Sequence, residues 1–249
     1  NFTKGTDRLP FRKYISTGVV QTLDFENDGD SDLLVAERYH PFNYGTRVSI
    51  FFLENDGKGF FTDVTEAMAP GLEKNFMTTD AAVEDINQDG FEDVIVATEW
   101  GPVQVLLNNK NGFEDMTAKF GLDSFKGWWN AVTTADIDGD GDLDIIAGNH
   151  GLNSFFKDTT RMYVHDFDGN GTLDYIFCES RGGKFYPVAD RNELVSQLPA
   201  LKKKLLYFKD YAGMSIEDIF PESQLRKATI WDATVMESSV FYNEKTTFT

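Results

Sequence analysis

The chain has 249 residues, with 23 Lys+Arg against 41 Asp+Glu and a formal net charge of −18. So acidic a chain is excluded from nucleic-acid binding as its main activity, because phosphate recognition needs clustered Lys and Arg. A hydrophobic content of 41% that includes 22 Phe excludes disorder, and no uncharged apolar run approaches the ~18 residues of a membrane span.

In chain order, a short apolar and β-branched run at 19–24 leads into the window DFENDGDSD (24–32), and a second run at 33–36 leads out. An aromatic stretch with Tyr39, His40, Phe42 and Tyr44 follows, then a predicted hairpin at 48–55 and 61–65 turning at Asp56-Gly57. The pattern repeats as run 81–85, window DINQDGFED (85–93), run 94–98, and a hairpin from 103–109 through Asn111-Gly112 into 113–117. A third copy opens with Trp128 and Trp129, continues through 131–136 and DIDGDGDLD (136–144), and finds its hairpin only at 240–243 and 248–249. A fourth window, DFDGNGTLD (166–174), lies between those parts.

The four windows hold 17 of the 41 acidic residues and fit one template: an oxygen-bearing side chain at positions 1, 3 and 5, Gly at 6 and Asp at 9. Alternate spacing in a tight loop lets three side chains converge, Gly permits the turn, position 7 offers its carbonyl, and the last Asp closes the shell. An all-oxygen set suits a hard cation, and Ca²⁺ above all, with about 6–8 ligands. The predicted ligands are Asp24, Glu26, Asp28, Asp30 and Asp32; Asp85, Asn87, Asp89, Phe91 and Asp93; Asp136, Asp138, Asp140, Asp142 and Asp144; and Asp166, Asp168, Asn170, Thr172 and Asp174. Asp30, Phe91, Asp142 and Thr172 are the position-7 residues, and their dissimilarity fits a backbone contact. About four structural Ca²⁺ are expected, bringing the formal charge from −18 to −10. Solvated Asp/Gly turns are the plain alternative, and four copies in register weigh against it.

An EF-hand would carry Glu at position 12, where Val35, Val96, Ala147 and Phe177 stand, and would join helices rather than strand-length runs. Offsets of 52 from Asp63 to Asp115 and 51 from Asp85 to Asp136 match a four-stranded β-propeller blade. The expected fold is all-β, an integrin-like calcium-loop β-propeller with about three blades, open at its ends and thus part of a longer ring, plus a small α-helical insertion. The fourth loop follows the third by only 30 residues and is expected inside blade three. Residues 1–184 are read as blades with four calcium loops, 185–230 as a helical insertion within a blade, and 231–249 as a return to the propeller. Inside the insertion, Asp190 to Glu193 forms a capping-box pattern, Leu194, Leu198, Leu201 and Leu205 recur at helical spacing, Pro199 marks a start or kink, and Ser215 to Asp218 caps a short helix before Pro221.

Together these segments resemble the FG-GAP/VCBS-repeat propellers, in particular a bacterial (Bacteroidetes) branch near the cartilage-acidic-protein ASPIC/UnbV-type family. The four loops, Trp128-Trp129-Asn130, the stretch from Gly148 to Asn153, Tyr186-Pro187 and the stretch from Leu198 to Lys204 carry the resemblance. No Phe-Gly…Gly-Ala-Pro cage is legible, so integrin-like ligand binding does not carry over. The resemblance implies an exported protein, at the cell surface or outer membrane and lipid-anchored as a lipoprotein, encoded beside nutrient-uptake systems.

For catalysis, His40, His150 and His165 are scattered and read as structural, and Cys178 as a buried apolar residue. The chain is therefore expected not to be an enzyme. Tyr39, Phe42 and Tyr44 occupy a seven-residue excess over the second copy, and with Trp100, Trp128 and Trp129 they either fill gaps between blades or present a binding face. The reading favoured is a calcium-stabilised scaffold with a protein partner at the cell envelope, as accessory subunit of an outer-membrane assembly. A carbohydrate-binding module or polysaccharide lyase propeller is the alternative, with a glycan as partner.

Overall fold

In the computed structural model, residues 4–5, 7–11, 15–154, 156, 159–245 and 247–249 are described. The first sheet is a meander of β1 (Thr17–Leu23), β2 (Asp32–Glu37), β3 (Ile50–Asn55) and β4 (Phe61–Asp63), closed by the one-turn helix α1 (Thr65–Met68). The second repeats it as β5 (Met77–Glu84), β6 (Asp93–Gly101), β7 (Gln104–Asn108) and β8 (Phe113–Asp115), with the short β9 (Gly127–Trp128) added against the far end of β6. A third begins with β10 (Ala131–Ala135) and β11 (Asp144–Gly148). The chain then leaves for β12 (Thr160–His165), β13 (Asp174–Arg181) and β14 (Lys184–Pro187). Four helices, α2 (Arg191–Gln197), α3 (Phe208–Tyr211), α4 (Ile216–Ile219) and α5 (Glu222–Leu225), precede β15 (Thr229–Ala233) and β16 (Ser239–Phe241).

Side-chain alternation explains why the first three sheets stack. All nine residues of β6 are buried, yet they serve two cores. Val94 and Val96 face Leu34, Ile50 and Phe52 of the first sheet, whereas Ile95 and Ala97 face Trp129, Ile145 and Phe241 of the third. A strand covered on both faces reads as a continuous apolar run, and each such side chain contributes about 1.5–3 kcal/mol on burial. The initial strands line up with β5 between β1 and β10, giving the side-by-side sheets of a β-propeller-like fold.

One expectation is corrected. The fourth loop does not lie inside the third blade: β16 returns to pair with β11 and completes a third sheet β10-β11-β16, with a bridge from Asn243 to Phe248 as its outer remnant. The fourth loop joins β12 to β13 in a separate sheet of order β14-β13-β12-β15, so the described residues form four sheets rather than about three. Thirty residues suffice between the loops because the third sheet defers its hairpin until after the fourth sheet is built.

The helices run between β14 and β15, two strands of that fourth sheet. Asp190 caps α2 by accepting from the Asn192 and Glu193 amides, and Glu193 accepts from Asp190 N in return. Pro199 starts a one-turn 3-10 segment rather than continuing α2. Leu194, Leu198 and Leu205 are buried against Tyr163, Phe167, Ile176 and Cys178, so the leucine stripe is core. Among the described residues no helix is long and apolar enough to cross a membrane.

Candidate functional site

Each Asp-rich window is a strand-to-strand connection: β1 to β2, β5 to β6, β10 to β11 and β12 to β13. The four loops share one internal hydrogen-bond plan. The Gly at position 6 donates to the position-1 carboxylate, from Gly29 to Asp24 at 3.0 Å, Gly90 to Asp85 at 2.8 Å, Gly141 to Asp136 at 3.1 Å and Gly171 to Asp166 at 2.9 Å. The position-7 amides of Asp30, Phe91, Asp142 and Thr172 donate to the side-chain oxygens of Asp28, Asp89, Asp140 and Asn170. The position-9 carboxylates of Asp32, Asp93, Asp144 and Asp174 accept from the position-2 amides of Phe25, Ile86, Ile137 and Phe167. Positions 4 and 6 both take positive φ, which asks for Gly or an amide side chain: Asn27 and Gln88 have φ of 57° and 59°, and Gly139 and Gly169 supply the other two.

In loops three and four, three carboxylates each offer an oxygen within 4.8 Å of one another: Asp136, Asp138 and Asp144, and Asp166, Asp168 and Asp174. Loop two carries Asn87 at position 3, whose amide donates to Asp89. Loop one has the longer Glu26 there, and its Oε2, like Asp30 Oδ1, is buried without a hydrogen-bond donor. Orphaned acceptors beside clustered carboxylates fit a hard cation, which would supply the missing positive charge. The electrostatics agree: burial, opposed by the Asn108 and Ile86 amides, pushes the Asp93 carboxyl up to about 7. Burial likewise raises Glu26 and Asp32, with the neighbouring Asp32 adding to the rise at Glu26 and the charge of Asp30 adding to that at Asp32. In the exposed part of loop four, the Gly171 amide chief among the donors holds Asp166 below the ordinary carboxylate range.

Hydrogen bonds between loops went unread in the sequence. Asn27 donates to the carbonyl of Gly90 at 3.2 Å, and Gln88 to that of Gly141 at 2.8 Å, so each position-4 amide reaches position 6 of the next loop. Asn108 donates to Phe25 O at 2.9 Å and Asn243 to Ile86 O at 3.2 Å, tying the third strand of one sheet to position 2 of the preceding loop. The backbone amides of Asn55, Asn108 and Asn243 each donate to the closing Asp of their own loop at 2.8 Å. The signal was an Asn recurring at the end of each hairpin's first strand.

The other singled-out residues lie elsewhere. Cys178 is fully buried, and burial pushes its thiol up. His165 packs edge-on to Phe167, while His150 stacks on Trp128 and lies 2.8 Å from Ser154 Oγ. Trp100 and Trp129 are core residues, whereas Tyr39 and Phe42 remain exposed.

Stacked antiparallel sheets, each with a carboxylate loop between two of its neighbouring strands, define a β-propeller-like module. The FG-GAP-like repeat matches twice, over residues 24–96 and 85–147, so that stretch is similar to two overlapping FG-GAP-like repeats. The matched spans contain loops one to three, and loop four and helices α2 to α5 lie outside them. No curated protein matches the chain.

Proposed function

We propose that the chain is a calcium-stabilised, non-enzymatic propeller scaffold that presents a surface to a protein partner at the cell envelope, as accessory subunit of an outer-membrane assembly. The observation carrying the metal part is the fourfold loop, with carboxylates that converge in loops three and four and the buried, undonated oxygens of Glu26 and Asp30 in loop one. Side chains at positions 1, 3, 5 and 9 would hold the ion with the position-7 carbonyl, and the bound ion would neutralise carboxylates that otherwise repel. Millimolar external calcium would fill even weak sites, which supports an extracytoplasmic setting. FG-GAP-like repeats support protein interaction as the role of the surface.

The reading is tested by capture of the tagged protein from its native envelope in calcium, followed by chelator elution and mass spectrometry. Recovery of one defined envelope partner is expected. Recovery of glycan alone, or of nothing above the untagged control, contradicts the scaffold role.

A further inference from the structure

Where the first, second and fourth sheets converge, a cleft of about 360 Å³ opens between the loop after β2, the end of β6 and the start of β13. At its base stands Glu99, only 6% exposed. One carboxylate oxygen, Oε1, accepts from Tyr44 Oη at 2.7 Å and from Trp128 Nε1, and Trp100 Nε1 in turn donates to Tyr44 Oη at 2.9 Å. Burial, reinforced by Glu99, pushes the Tyr44 phenol up, so it remains a donor. Trp100 adopts φ +66°, a conformation disfavoured for a bulky side chain, right beside the carboxylate. Two aromatic donors, Tyr44 and Trp128, thus hold one oxygen of Glu99 in place, and Trp100 holds Tyr44. The other, Oε2, faces the Arg38 guanidinium at 3.9 Å, too far for a hydrogen bond.

The rim has a different chemistry. Phe42 is 83% exposed, and Tyr39 and Tyr175 are also exposed, so the rim offers aromatic surface to solvent. One carboxylate and one guanidinium cancel, so the cleft is locally neutral on a chain of formal charge −18. A cation would meet Arg38 and an anion would meet Glu99. A neutral ligand with adjacent hydroxyls meets neither penalty: one hydroxyl donates to Glu99 Oε2, its neighbour accepts from Arg38, and the C–H face lies against the aromatic rim. We propose that this cleft is a binding site for a neutral saccharide. The site is separate from the loop carboxylates and goes beyond the scaffold role.

Calorimetry and saturation-transfer NMR with the methyl glycosides of glucose, galactose and mannose, and with their di- and trisaccharides, test it on the calcium-loaded chain. Saturable binding to at least one is expected. Phe42→Ala, at an exposed position that leaves melting unchanged, should weaken it at least about fivefold. Glu99→Gln should weaken it about tenfold, the weight of a charge-assisted hydrogen bond. Absence of binding by every probe overturns the proposal. So does binding that Phe42→Ala leaves intact, or tighter binding of a uronate or a lysine-bearing peptide at the same residues.

Discussion

The first three sheets and the fourth solve one problem with different materials. Loops one to three form a row in which Asn27 and Gln88 reach from loop to loop, and Asn108 and Asn243 satisfy the carbonyls of Phe25 and Ile86. In loop four the corresponding carbonyl, that of Phe167, accepts from Gln224 of α5 at 3.1 Å, and the Phe167 ring packs on Phe220 with centroids 4.4 Å apart. A helical segment therefore covers loop four where a neighbouring sheet covers loops one and two. In loop three the position-2 residue, Ile137, stays exposed, so the lesson is that where a loop is covered, either a sheet or a helix can supply the apolar cover and the donor for its position-2 carbonyl.

The largest effects should come from the two cores. Ile95→Ala between the second and third sheets and Leu198→Ala under the fourth should each cost about 2–5 kcal/mol in denaturant melts. They belong to separate clusters, so the double variant should be additive to within about 0.5 kcal/mol. A large coupling would show that the two regions are one core.

Proton linkage is expected to act next. With the chelated protein, carboxyls raised by burial, Asp93 and Glu26 above all, hold protons that the unfolded chain has released. Stability should therefore fall as pH rises from about 4 towards 8, by a few kcal/mol. Saturating calcium should flatten or reverse that slope, because the bound form needs ionised carboxylates. Melting temperature against pH, with and without chelator, reads both.

Smaller effects separate the two kinds of cover. Asn108→Ala leaves a buried carbonyl without its donor and should cost about 1–3 kcal/mol, whereas Gln224→Ala, in a half-buried place, should cost about 1 kcal/mol or less. The smallest change is expected for Gln88→Ala, within about 0.5 kcal/mol, because its bond to Gly141 lies near the surface.

Much of this was legible because its signals are periodic. Strand-length runs flanking each window marked the loops as strand connections, and the hairpin at 240 was matched to the sheet begun near Trp128. The independence of the fourth sheet was not legible, since its fourth strand, β15, comes from beyond the helices and local spacing carries no trace of that pairing. Asn27 and Gln88 carry no signal of their own in the sequence because position 4 is not a ligand position, and only the positive φ there reveals why Gly or an amide is required. Glu99 was invisible for a similar reason. It sits in an ordinary strand, and its importance arises when Tyr44, 55 residues earlier, and Trp128, 29 residues later, close on the same oxygen.

The central claim is that the four Asp loops are structural calcium sites. Metal analysis of exhaustively dialysed protein, paired with thermal melts before and after chelation, tests it most directly. About four calcium ions per chain and a clearly lower melting temperature on chelation are predicted. Fewer than about two ions, with melting indifferent to chelator, would contradict it.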